Sequence, residues 1–96
     1  MSKLGLYKFF MDYGRMGELD GLFFCTPELI DEAMGHEIYL GEVLGKHSDV
    51  FFTLEADMIE LITDDERVMV ALEPHRGAVE TGYNPIEYYM DQKEDT

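Results

Sequence analysis

The sequence predicts an α+β fold, built on an antiparallel or mixed sheet of about five strands with two or three short helices. Three observations predict it. Apolar alternation recurs in clusters, helix-start signals stand between the clusters, and the order reads β-β-α-β-β-β-α-α rather than a strict strand–helix repeat. The 96 residues contain no internal repeat or low-complexity linker. They are read as one domain, 1–96, with a polar tail at 91–96 expected to fray.

Leu6 to Tyr13 sets Tyr7, Phe9, Met11 and Tyr13 against Leu6, Lys8, Phe10 and Asp12, a strand with one strongly apolar face and one mixed face. Gly14 and Gly17 supply a turn, and Gly21 to Cys25 returns as the hairpin partner. Thr26 as N-cap, Pro27 at the first helical position and Gly35 beyond the last periodic residue bound a helix over about 27–34, with Leu29, Ile30, Ala33 and Met34 as its apolar stripe. His36 to Val43 is a third strand and Asp49 to Glu55 a fourth, with Val50, Phe52 and Leu54 on one face. Met58 to Thr63 is a fifth. Asp64-Asp65-Glu66 then suits the positive end of a helix running to about Glu73, with Val68, Met69 and Leu72 as its stripe. Pro74 to Gly82 has no period and is read as loop, and Asn84-Pro85 starts a last helix over Ile86 to Met90.

Charge is the outlier. Twenty-one acids face seven bases, a net charge of −14, whereas a small domain needs a magnitude of only about 2 to 8 for solubility. Residues 1–48 carry net −4 and residues 49–96 net −10. Direct binding of nucleic acid or an anionic membrane is disfavoured, because both need clustered Lys and Arg. No apolar stretch approaches the roughly 18 residues of a membrane helix. The N-terminal run is interrupted by Lys8 and Asp12, unlike a signal peptide, so the expected location is the cytoplasm. The lone Cys25, inside Leu22-Phe23-Phe24-Cys25, reads as a small buried hydrophobe.

The stretch GEVLGKHSDV, residues 41–50, invites comparison with the phosphate-binding pattern G-x-x-x-x-G-K-[ST]. It encloses three residues between glycines rather than four, places His47 at the hydroxyl position and puts Glu42 beside the would-be phosphates. It is therefore read as a strand–loop–strand connection in which Gly45 supplies a positive φ. Ser2 and Ser48 are the only serines, and adjacent His47 and Ser48 point to opposite faces of an extended chain, so nucleophilic chemistry has no partners. His36-Glu37 lacks the second histidine of a zinc helix, and no acid cluster has calcium-loop spacing. No enzyme activity, metal or cofactor is expected.

The acidic surface remains. Glu55, Asp57, Glu60, Asp64, Asp65, Glu66 and Glu73 are spread over strand ends, a helix start and loops rather than one tail, as a rigid surface aimed at a basic protein would need. A different reading is a module for a nucleotide or other small molecule near the 45–48 loop, using Arg15, Lys46, His47, Ser48 and Arg76. The sequence leaves a homodimer open.

In size, acidity and lack of catalytic residues the whole chain resembles small inhibitors encoded by phages and mobile elements: DNA-mimic anti-restriction proteins, uracil-DNA glycosylase inhibitors and anti-CRISPR proteins. The resemblance rests on composition and carries no motif or residue role across. It implies an anti-defence mechanism in which the protein occupies the basic nucleic-acid groove of a target enzyme.

Overall fold

A computed structural model describes residues 3–14, 17–42 and 49–94. The predicted class is observed: β1 (Gly5–Asp12), β2 (Glu18–Cys25), α1 (Pro27–Ala33), β3 (Glu37–Gly41), β4 (Val50–Thr53), β5 (Ile59–Thr63), α2 (Glu66–Leu72), α3 (Arg76–Val79), β6 (Thr81–Gly82) and α4 (Pro85–Glu94). All strand pairings are antiparallel, and they form two sheets, β5-β1-β2-β6 and β3-β4.

β1 and β2 pair from Gly5↔Cys25 to Asp12↔Glu18. β2 starts three residues before the predicted Gly21, because Leu19 is buried while Glu18 and Asp20 face out, which continues the strand period. Tyr7, Phe9 and Met11 with Leu19, Phe23 and Cys25 make one sheet face. They pack against Ile30 and Ala33 of α1, Ile38, Leu40, Val50 and Phe52 of the second sheet, and Ile86 and Tyr89 of α4. Phe9 and Phe23 are completely buried, and Phe9 stacks on Phe52 at 5.7 Å, joining the two sheets.

The start signals act as expected. Thr26 Oγ1 accepts from the Leu29 N–H at 3.4 Å, and Asn84 Oδ1 accepts from the Ile86 and Glu87 N–H groups at 3.0 and 3.2 Å. α4 continues four residues beyond the predicted Met90, through the first residues of the tail read as frayed. Its last turn is tied down: the Gln92 side-chain amide accepts from the Tyr39 N–H (2.5 Å) and donates to the Glu37 carbonyl (3.0 Å), imitating a neighbouring strand along the outer edge of β3. Lys93 Nζ reaches Glu32 Oε2 on α1 at 2.9 Å.

On the other sheet face, Leu6 and Phe24 meet Met69, flanked by Leu4, Leu22, Leu72 and Val79. The segment 74–82, expected as loop, instead holds a 3-10 turn (Glu73–His75), α3 and β6. Proline fits the start of the 3-10 turn, where its missing N–H removes no bond. α2 and α3 cover only the end of this face near Leu6 and Phe24.

Candidate partner-binding surface

The uncovered half of that face follows from register. Lys8, Phe10 and Asp12 alternate outward along β1; Leu22, Asp20 and Glu18 stand opposite them on β2, and Glu60 of β5 stands opposite Lys8. Directly opposed residues share a face, so Asp12, Glu18, Asp20 and Glu60 surround Phe10, which is 45% exposed. Strand spacing sets same-face positions about 5 Å apart across neighbouring strands and about 7 Å apart along them, so Asp12, Glu18 and Asp20 cluster, while Glu60 stands on the far side of β1. Asp57, in the 3-10 turn before β5, lines a hollow with Phe10, Asp12 and Met58. Lys8 is the single cation on this half-face among the described residues. Asp12 and Glu18 are directly opposed like charges, an arrangement costing up to about 1 kcal/mol relative to neutral residues.

A second acidic group adjoins it. Asp64, Glu66 and Glu73 line a groove of about 400 Å³ with Leu4, Met69 and Val70, and Lys3 Nζ lies 3.9 Å from Asp64 Oδ1 there. Because β5 runs antiparallel to β1, Asp57, Glu60, Asp64 and Glu66 succeed one another from one end of β5 to the start of α2. Asp65 has a structural role: its Oδ1 accepts from the Arg67 N–H at 2.9 Å and caps α2. Glu55 is exposed at the turn before β5.

The structure thus brings Asp57 and Glu60 together with Asp12, Glu18 and Asp20, three acids absent from the sequence-predicted set. Counting charge by halves hid them, since they lie in the less acidic half. The period-two alternation Lys8, Phe10, Asp12 was the available signal.

The residues of the ligand-site reading are placed differently. Arg15, Lys46, His47, Ser48 and the turn glycine Gly45 lie outside the described residues. Arg76 holds α3 to the sheet: its guanidinium lies 5.2 Å from the Phe24 ring centroid, its Nε donates to Glu80 Oε1 at 3.3 Å, and Glu80 Oε2 accepts from the Phe24 N–H at 3.3 Å. The most heavily interacting titratable groups are structural as well. The Glu32 carboxyl is held below its ordinary range by hydrogen bonds, from Lys93 first and then from Tyr89, and the Lys93 amine is raised by the same bond. Desolvation, then the bond to Glu32, pushes the Tyr89 phenol up. Burial raises the Cys25 thiol, which keeps it protonated and a poor nucleophile. Among the described residues, no group of three His, Cys, Asp or Glu side chains is arranged to hold a metal, and no helix is long and apolar enough to cross a membrane.

Comparison with protein-family models, with curated proteins and with solved structures found no match.

Proposed function

We propose that this protein is a non-enzymatic inhibitor that binds a basic protein surface, covering the site where its target holds nucleic acid. The observation supporting this reading is the uncovered half of the sheet. Asp12, Glu18, Asp20 and Glu60 are fixed by strand register around an exposed aromatic ring, rather than dispersed on a mobile tail. Carboxylates fixed on one sheet face offer Lys and Arg side chains a negative array without the entropy cost of ordering a flexible chain. Phe10 at its centre supplies the apolar anchor that sets residence time, while the net charge of −14 accelerates encounter.

The test is capture of bacterial lysate proteins on immobilised protein, comparing the native chain with an Asp12→Asn/Asp20→Asn variant that keeps size and loses two charges. Basic nucleic-acid-binding proteins should be retained at low salt, released by a salt gradient and displaced by duplex DNA. The variant should hold them roughly tenfold less tightly, as expected for about 1.4 kcal/mol lost over two charge contacts. Equal retention by the variant, or retention that duplex DNA does not disturb, would sink the proposal.

A further inference from the structure

β5 is an edge. Among the described residues its one strand neighbour is β1, which leaves its outer side without a partner strand. Of the other flanks, Gln92 occupies the outer side of β3, β6 on the far side of the large sheet is only two residues long, and β4, four residues long, has β3 as its one strand neighbour among the described residues but lacks the row of acids that follows β5. Unpaired strand edges are templates for another strand, and proteins ordinarily blunt them with charge, bulges or covering elements. A register shift opposite Leu6/Tyr7 gives β5 a bulge at Ile62, but Leu61 and Ile62 remain 47% and 46% exposed.

We infer that β5 receives an extended, basic segment of the partner protein, which adds to the sheet as an antiparallel or parallel fifth strand. The inference rests on the proposed binding of a basic protein and names the mode of that contact. Backbone pairing along Ile59–Leu61 supplies affinity, Leu61 and Ile62 meet apolar side chains of the incoming strand, and Asp57, Glu60, Asp64 and Glu66 line its path with negative charge. Lys3 beside Asp64 shows that an ammonium group fits at the α2 end of this path. Charge decides the occupant. A second copy would bring its own row of carboxylates and a further net −14 against the first, so self-pairing is repelled where a Lys- or Arg-bearing strand is attracted.

The probe is a fluorescein-labelled, end-blocked octapeptide of alternating Lys and Val. It is used with two N-methylated versions, methylated at every second residue in one register or the other. In an added strand only alternate N–H groups face β5, so one methylated version should bind at least about tenfold more weakly, from loss of hydrogen bonds worth roughly 1 kcal/mol each, while the other stays close to the parent. The parent peptide should slow hydrogen exchange of backbone amides within 59–63. Equal binding of both methylated versions, absence of binding, or unchanged exchange at 59–63 overturns the inference. So does a peptide-free dimer in sedimentation whose β5 amides are already protected, since a second copy then fills the edge. The two proposals fail separately: loss of partners by Asp12→Asn/Asp20→Asn without strand pairing of the probe leaves the sheet-face reading intact and removes this one.

Discussion

Replacing Gly82 by alanine tests the close backbone approach of β2 and β6. Gly82 of β6 pairs with Gly21 of β2 and has φ +67°. A Cβ there would sit 2.2 Å from the Asp20 carbonyl oxygen and 2.9 Å from the Gly21 Cα, backbone atoms that no rotamer change can move. β6 would have to lift, losing the Tyr83 N–H to Asp20 carbonyl bond of 3.0 Å. The positive φ costs about 1 kcal/mol, overpacking about 1 to 3 kcal/mol and the lost bond about 1 kcal/mol, so a total near 3 to 5 kcal/mol is expected. Gly35→Ala is the internal control: its φ is +83°, but a Cβ meets nothing within 4 Å, so it carries the conformational cost alone. In urea denaturation followed by tyrosine fluorescence, with a slope of about 1 to 2 kcal/mol per molar, Gly82→Ala should lower the midpoint several times further than Gly35→Ala. Equal midpoint shifts would refute the close approach of β2 and β6.

Two further outcomes follow from the last turn of α4. Gln92→Ala removes both bonds to β3 and should destabilise by about 1 to 2 kcal/mol, with faster hydrogen exchange at Tyr39 as the specific readout; unchanged exchange there would refute the strand-imitating role. The Glu32–Lys93 pair sets a pH window. Glu32 is depressed below its ordinary 4.5, so its contribution is whole above that value and lost as pH falls through the folded pKa, while Lys93 is raised above 10.5, so its contribution is whole below that value and lost as pH rises through the folded pKa. Glu32→Gln should therefore be less stable than the native chain at neutral pH and converge with it in strong acid; a difference that persists in acid would refute the assignment.

What could be read from the sequence was local. Thr26-Pro27 and Asn84-Pro85 mark the starts of α1 and α4 because capping and proline geometry need only neighbours in the chain. β6 was invisible for the opposite reason: two residues carry no period, and they pair with β2 where Gly21 and Gly82 both lack a side chain. Division of the strands into two sheets was equally hidden, since alternation tells which face a residue takes but not which strand lies beside it. The acidic surface divides the same way. Asp57 and Glu60 were read from charge, yet their company with Asp12, Glu18 and Asp20 depends on β1 lying between β2 and β5. Asp65 looked like surface charge and is a helix cap, a role decided by where α2 starts.

The closure of β3 by Gln92 also has a meaning in time. Tyr39 and Gln92 are 53 residues apart, and Glu32 and Lys93 are 61 apart. During synthesis, a growing chain can form the β1–β2 hairpin and α1 early, but the outer side of β3 stays uncovered until residue 92 has cleared the ribosome. Over that interval the outer sides of β3 and β5 are both open, and in the finished protein Gln92 covers that of β3 while that of β5, with acids along its path, has no partner strand among the described residues. Translation thus silences one adhesive border and leaves the other.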